Sequence, residues 1–227
     1  RGFFSMAVKM TIDTRFYELV NHLWRGGKYA YFWVPDDGTG AKYTYWFAVD
    51  LLSIPEVPKH LLNTDCYFGV HGSMIRRSEH ERARIEDVQA VNGFFCEFDC
   101  PTPEAKEAAA AKIKAWKIPA SCVVDSGGGY HCYVFLRATF AIGSQADRKR
   151  AADLQWAFVQ YVGGEKGVSD LARVLRIPGT YNHKPRYGPD GAPVVIVDWQ
   201  PQNQYDLAEL EPLLQPFIDK RDAAKAH

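Results

Sequence analysis

The stretch Phe94-Phe95-Cys96-Glu97-Phe98-Asp99 decides how the rest of the sequence is interpreted. Its apolar residues predict a buried strand, on which successive side chains alternate between two faces. Glu97 and Asp99 therefore point to one side, and Cys96 and Phe98 to the other. Two neighbouring carboxylates on an apolar strand repel each other and lose hydration, which a cation between them relieves. Because hard divalent ions prefer carboxylate and phosphate oxygens, the pair suggests a metal site; a solvated acidic strand end is the plainer alternative.

Composition limits the classes of protein to which the chain can belong. It has 227 residues, 47% of them hydrophobic and 14% aromatic, which is enough for a sizeable core. Lys plus Arg equals Asp plus Glu, at 27 each, so any basic surface for nucleic acid must be local. The five cysteines form no CxxC pair and favour small core residues over a disulfide framework, and we expect no zinc site. The sequence has neither a signal peptide nor an apolar run that predicts a membrane helix, and we expect no membrane partner.

Residues 1–90 predict a smaller N-terminal α/β module. Hydrophobic periodicity and turn chemistry predict, in order, a helix over 12–24, a hairpin of strands 28–34 and 43–49 around the connection 35–40, a loop at 55–58 and a strand over 65–70. We interpret the aromatic residues of the hairpin as packing. Residues 71–83 are polar and basic and predict an exposed loop.

From residue 91 the predicted elements follow a different order. They are strands 91–99, 121–125, 130–136 and 193–199 and helices 104–116, 145–162 and 207–218. Up to the fourth strand this order is close to a ferredoxin-like β-α-β-β-α-β unit. We therefore predict a broad α/β or α+β fold, with His131, Tyr133 and Phe135 on one face of the third strand.

The segment Ser126-Gly127-Gly128-Gly129-Tyr130-His131 joins two predicted strands. Three glycines allow the backbone to approach a ligand closely and to offer N–H donors, while Ser126 and His131 add polar side chains. The segment lacks the Gly-Lys-Ser/Thr of a Walker loop. Taken alone, it fits a plain hairpin with a half-buried histidine equally well.

A third group of charged residues begins at Asp170. Within fifteen residues the chain places one acid, three cations and an amide: Asp170, Arg173, Arg176, Asn182 and Lys184. A third carboxylate beside arginines and a lysine is what a triphosphate with two metals would require. A lone acid at the end of a helix or strand is the usual case.

Together these segments resemble the three-motif pattern of archaeo-eukaryotic primases (AEPs). The pattern consists of Glu97-Phe98-Asp99, then Ser126 to His131, then Asp170 with Arg176-Ile-Pro-Gly-Thr-Tyr-Asn-His-Lys184, and is most similar to the primase–polymerases (PrimPols) of phages, plasmids and mobile elements. The resemblance covers residues 67–184, and three motifs in order make it far more specific than any one alone. It implies one integrated domain, with an RNA-recognition-like catalytic palm over residues 91–227. The implied reaction is template-directed, two-metal nucleotidyl transfer from nucleoside triphosphates on single-stranded DNA.

The resemblance also implies roles for individual residues. By motif position, the catalytic and metal-binding acids are Glu97, Asp99 and Asp170, with Mg²⁺ or Mn²⁺ as the metal. Nucleotide binding falls to Ser126, Gly128, His131, Arg176, Asn182 and Lys184. The first acid is often Asp in this superfamily, and Glu97 is a departure that could shift the metal or weaken catalysis.

For template binding we expect a local basic surface on this neutral chain. The candidates are Arg76 and Arg77, followed by Arg82, Arg84, Lys149 and Arg150. The resemblance further implies the cytoplasm of a bacterial, archaeal or phage-infected cell, and a helicase or another replication domain elsewhere in the full-length chain.

Two alternatives stay open. The first is a nucleic-acid-binding replication module with a degenerate active site, which Glu97 keeps in contention. The second is a rolling-circle or relaxase-type nuclease, which needs a His-hydrophobe-His metal pair. The chain has His131-Cys132-Tyr133 at that place, so the second histidine is missing.

Overall fold

The computed structural model describes residues 12–35, 40–49, 56–60 and 64–226. The elements in chain order are α1 (Thr14–Leu23), β1 (Tyr29–Val34), β2 (Tyr43–Ala48), β3 (Tyr67–Gly69), β4 (Ala90–Asp99), α2 (Pro103–Lys114), β5 (Cys122–Asp125), β6 (Gly129–Ala141), α3 (Gln145–Val162), β7 (Val174–Arg176), β8 (Tyr181–Asn182), β9 (Ala192–Pro193), β10 (Val195–Trp199), β11 (Gln204–Tyr205) and α4 (Leu207–Lys225). The predicted α/β class is confirmed. Most of the predicted hairpin connection lies outside the described residues.

Local signals explain the bounds of the helices. Asp13 caps α1 by accepting a hydrogen bond from the backbone N–H of Arg15. Ser144 caps α3 in the same way, and Gly163 ends it in the left-handed conformation, so the predicted bounds of this helix are correct. Helix α4 runs seven residues beyond its predicted end at Ile218. Its last turns carry mostly exposed polar residues, which have no apolar periodicity to detect.

The strands form two main sheets. The first has the order β2-β1-β3-β7 and is antiparallel throughout. In the second, β6 lies between β4 and β5, the arrangement of a split β-α-β unit, and β10 extends the sheet on the far side of β5. The first strand after α3 is β7, which joins the first sheet. The predicted fourth palm strand, β10, follows only later in the chain.

Strand β4 separates two hydrophobic cores. Its residues Phe94 and Cys96 pack in an outer core with helices α3 and α4. Phe95 packs in an inner core with α1 and the first sheet. Alternation along the strand then places Glu97 and Asp99 on the same side as Phe95, opposite Cys96, so the two acids share one face as predicted. The five cysteines are free and buried, in agreement with the sequence.

Pairing of β3 with β7 crosses the predicted boundary at residue 90. The first sheet takes its edge strand from residues 174–176, well inside the predicted palm. The two sheets also share the inner core, to which Phe68 and Leu175 contribute from one sheet and Phe95 and Tyr133 from the other. The division into residues 1–90 and 91–227 remains a prediction, and the sheets do not follow it.

The predicted exposed loop over residues 71–83 is partly wrong. His71 and Ser73 are buried, because Ser73 exchanges backbone hydrogen bonds with Tyr29 beside the first sheet. The remaining residues up to Arg82 are mostly exposed. Within the described part of the chain, no helix combines the length and hydropathy of a transmembrane span.

Candidate active site

A cleft of about 250 Å³ brings residues of both sheets together. Its lining contains two acids, four polar or basic residues of the predicted site, four residues of the first sheet and the residue before β7: Glu97 and Asp99; Ser126, His131, Arg176 and Lys184; Trp33, Tyr67, Val174 and Leu175; and Arg173. The three motifs, far apart in the sequence, therefore contribute to one concave site. Its convergent charged and polar groups suit a small polar ligand.

Glu97 is the half-buried acid of the cleft, with 20% of its side chain exposed. Its Oε1 accepts a hydrogen bond from Nε of Arg173 at 3.0 Å, and its Oε2 lies 4.0 Å from Nε2 of His131. Burial raises the pKa of Glu97, an effect that Arg173 opposes and the charge of Asp99 reinforces. Glu97 is therefore a carboxylate whose charge is only partly compensated.

Asp99 ends β4 at the open side of the same cleft. Within the described residues its carboxyl group forms no hydrogen bond or ion pair, and neither does the ammonium group of Lys184. The cleft thus holds one carboxylate, Asp99, and one ammonium group, Lys184, that have no ion pair among the described residues. Both are available to a ligand.

His131 stands opposite Glu97 in the register of β4 and β6. Burial, helped by the charges of Arg176, Arg173 and Lys184, lowers the pKa of His131 to about 3. Its Nδ1 is buried without a hydrogen-bond partner in the described residues. At neutral pH the ring is therefore neutral and offers one donor and one acceptor.

The third predicted acid does not join the first two directly. Asp170 is half-exposed and lies 3.5 Å from Arg173, whose Nε binds Glu97. Among the described residues no group of three His, Cys, Asp or Glu side chains is placed to hold a metal ion. The guanidinium of Arg173 occupies the space between two of the three acids. Arg173 belongs to the charged run found in the sequence, yet no role was predicted for it.

The glycines at positions 127–129 pack mainly against other parts of the protein and do not line the cleft. A Cβ on Gly129, whose φ is +154°, would lie 1.7 Å from the carbonyl oxygen of Phe98, so only glycine fits beside β4. A Cβ on Gly128 would lie 2.3 Å from the hydroxyl of Tyr187. Ser126 lines the cleft, but Gly128 does not.

Two residues predicted to contact phosphate have partners within the protein. Arg176 is buried and pairs with Asp65 at 2.5 Å, and its guanidinium lies over the ring of Tyr67. Asn182 is buried outside the cleft lining and donates to the carbonyl oxygen of Ser126 at 2.9 Å. Asn182 therefore positions the Ser126 turn.

The arginines proposed for template binding differ from one another. Arg77 forms a bidentate ion pair with Asp87, whose side chain is fully buried. Arg76 is exposed and forms no ion pair within the described ranges. Arg82 lies over the ring of Trp33 at the edge of the cleft. Arg84, Lys149 and Arg150 pair with Glu81, Asp153 and Glu211 respectively.

Sequence reasoning missed Trp33, Tyr67 and Asp65. Trp33 lies on the predicted hairpin, whose aromatic residues were interpreted as packing, and Tyr67 lies on a predicted strand to whose rings no role was given. The only signal that separates them from their neighbours is strand alternation, because Phe32 and Phe68 face the inner core. Asp65 pairs with a residue 111 positions away, which no local pattern reveals.

The same fold occurs in primase catalytic domains. The AEP domain of the primase–polymerase of cyanophage S-2L matches with a TM-score of 0.59 at 16% sequence identity, over 89% of this chain and 98% of that one. Primase RepB' matches at 0.54 and 14% identity, over 93% of this chain and 65% of that one. The RepB' catalytic domain in complex with initiator DNA matches at 0.54 and 15% identity, over 94% and 98%.

These likenesses establish the fold of the chain as that of AEP primase domains. No family model matches the sequence, and no curated protein does. At such identities, function must be argued from the site itself.

Proposed function

We propose that this chain is a primase-type nucleotidyltransferase that joins nucleoside triphosphates on a single-stranded DNA template and releases pyrophosphate. The observation that carries the proposal is the cleft that gathers Glu97, Asp99, His131 and Lys184 in a fold shared with primase domains. Acids beside cations are the groups that phosphoryl transfer requires.

The acid pair fits the chemistry of a divalent metal. Glu97 and Asp99 present hard oxygen ligands from one face of a rigid strand, and Asp99 is unpaired within the described residues. Bound Mg²⁺ or Mn²⁺ would supply charge neutralisation and orientation of the attacking oxygen and the triphosphate. Asp170 completes the proposed ligand set only if Arg173 moves from between it and Glu97.

The remaining groups of the cleft suit the triphosphate. Lys184 offers an ammonium group that has no ion pair among the described residues, and the neutral His131 offers a ring N–H that can donate to a phosphate oxygen. Ser126 adds a hydroxyl at the turn that Asn182 holds. With a metal bound at the acids, the guanidinium of Arg173 would be available to contact a phosphate oxygen. Each of these residues binds or orients the nucleoside triphosphate, and the template is bound by other surfaces of the protein.

A catalytically degenerate nucleic-acid-binding module is the second candidate. The position of Arg173 between Glu97 and Asp170 favours it, because no three-ligand metal group exists in the described residues. The two candidates differ in whether nucleotide is incorporated.

The test is incorporation of labelled nucleotide on primed and on circular single-stranded DNA, with Mg²⁺ or Mn²⁺ and either ribo- or deoxyribonucleotides. We expect metal-dependent incorporation that Glu97→Gln and Asp99→Asn each reduce at least about a hundredfold, while Asp219→Asn, an exposed acid on α4, has no effect. His131→Ala should lower incorporation about a hundredfold and leave template binding nearly unchanged. Retained DNA binding without incorporation under any of these conditions would favour the degenerate module.

A further inference from the structure

Two aromatic side chains of the cleft belong to neither hydrophobic core. Trp33 on β1 and Tyr67 on β3 are directly opposite in the sheet register, and their ring centroids lie 5.4 Å apart. Phe32 and Phe68, next to them in sequence, point into the inner core. Trp33 and Tyr67 therefore point to the other face of the first sheet, where they are half-buried and line the cleft.

Each ring carries an arginine. The guanidinium of Arg82 lies 4.6 Å from the centroid of Trp33, and that of Arg176 lies 4.8 Å from the centroid of Tyr67. Asp65 neutralises Arg176, whereas Arg82 is exposed and has no ion pair in the described part of the chain. The result is a row of two rings with an unpaired cation at its outer end.

We propose that Trp33 and Tyr67 form a stacking platform for bases of the single-stranded DNA template, with Arg82 contacting the adjacent phosphate. The inference rests on the proposed function and names the template surface of that site. Aromatic rings beside a basic track are the usual means by which proteins bind single strands without sequence preference. The rings lie on paired strands, which fix their positions better than a loop would.

The basic segment beyond Arg82 favours a strand over a single nucleotide. Arg82 belongs to an exposed stretch that also carries Arg76, which has no ion pair in the described residues, and Arg84, which pairs with Glu81. A continuous strand can use such an extension, whereas one nucleotide is held by Lys184 and His131 in the cleft. The row thus joins the exposed Arg82 to the cleft that holds the acids.

A second arginine–tryptophan stack serves as a comparison. Arg221 lies 4.7 Å from the ring centroid of Trp156, which packs against the outer core. There the arginine pairs with Asp153 and Asp222, so its charge is satisfied within the protein. Arg221 therefore provides a control for Arg82, because it stacks on a tryptophan in the same way but its charge is paired within the protein.

The experiment measures binding of a fluorescent deoxythymidine oligonucleotide by anisotropy at several salt concentrations. We expect Trp33→Ala to weaken binding about tenfold and Trp33→Phe to restore it to within about threefold, because a phenyl ring still stacks. Arg82→Gln should lower the slope of log affinity against log salt by about 0.7, the value for one phosphate contact on a single strand. Arg221→Gln should leave affinity and slope unchanged.

Two results would overturn the inference. One is unchanged oligonucleotide affinity in a Trp33→Ala protein whose circular dichroism and thermal midpoint show that it is folded. The other is a tenfold loss of free deoxynucleoside triphosphate binding with oligonucleotide binding intact, which would assign the platform to the incoming nucleotide. Oligonucleotide binding that depends on Trp33 in a protein without incorporation would refute the proposed enzyme and support the platform.

Discussion

Arg76 and Arg77 are neighbours in the sequence, and the structure predicts opposite consequences of replacing them. Asp87 is fully buried, and it accepts hydrogen bonds from Nε and Nη2 of Arg77 at 2.5 and 2.8 Å and from the backbone N–H of Arg84 at 2.8 Å. Burial raises the pKa of Asp87, but these partners outweigh it and the net pKa is lowered. Removing Arg77 leaves a buried carboxylate with one partner.

The size of the effect follows from that geometry. Breaking a buried ion pair by removing one partner costs about 3–5 kcal/mol, so Arg77→Ala should lower the free energy of unfolding by about 3 kcal/mol. For a chain of this length this corresponds to a fall of about 6–12 °C in the thermal midpoint. Arg76→Ala removes an exposed side chain and should change the free energy of unfolding by less than about 0.5 kcal/mol.

Urea unfolding followed by tryptophan fluorescence measures both variants, with Asp87→Ala and the double variant completing a double-mutant cycle. A coupling energy of about 2–3 kcal/mol between Arg77 and Asp87 is expected. In oligonucleotide binding, Arg76→Ala should lower the salt slope, and folded Arg77→Ala should not. A cost of less than about 1 kcal/mol for Arg77→Ala, or a fall in its salt slope equal to that of Arg76→Ala, would refute the structural role of Arg77.

Three further predictions concern Gly129 at the start of β6, the buried His71, and Arg173 beside the acids. Gly129→Ala forces a Cβ to within 1.7 Å of a carbonyl oxygen of β4 and should cost more than about 2 kcal/mol in urea unfolding, whereas Gly167→Ala, with nothing within 4 Å, should be nearly neutral. Burial lowers the pKa of His71 to about 4, so between about pH 6.5 and 4 the unfolded chain binds more protons than the folded chain. The contribution of His71 to the free energy of unfolding is full above pH 6.5 and falls by about 3 kcal/mol as the pH drops through this range. His71→Gln should flatten this pH dependence in unfolding curves measured at pH 7.5 and 4.5. Arg173→Gln should tighten Mn²⁺ binding by the free protein about tenfold in paramagnetic resonance titrations, because it removes a cation beside Glu97, while Lys106→Gln should not; equal affinities in all three proteins would contradict the competition.

Elements with explicit local signals were predictable from the sequence. The bounds of α3 agree because Ser144 and Gly163 mark its two ends. The face of β4 that carries Glu97 and Asp99 agrees because strand alternation depends on spacing alone. The cleft residues Ser126, His131 and Lys184 were also predicted, because their segments resemble the motifs of archaeo-eukaryotic primases.

What the sequence could not show are partners set by strand pairing. Arg176 was predicted to contact phosphate, but β3–β7 pairing places it over Tyr67 and beside Asp65. Arg77 was predicted on the surface, yet Asp87 returns beside it after a turn. In both cases the sequence suggests an arginine that is free to bind a ligand, because hydrophobic periodicity does not predict which acid will pair with it. Charge balance at a site is therefore a tertiary property.

The third motif is fixed to the first sheet, whereas Glu97 and Asp99 lie on the second. Asp170 precedes β7, and the backbone of Arg173 accepts a hydrogen bond from the N–H of Val70, so this segment is fixed to the first sheet. Glu97 and Asp99 belong to the second sheet. The side chain of Arg173 reaches from the first sheet to Glu97. The separation of the third acid from the other two is thus set by packing of the sheets across the inner core. A fragment that begins at residue 91 would keep all three motifs and lose the strands that position the last one.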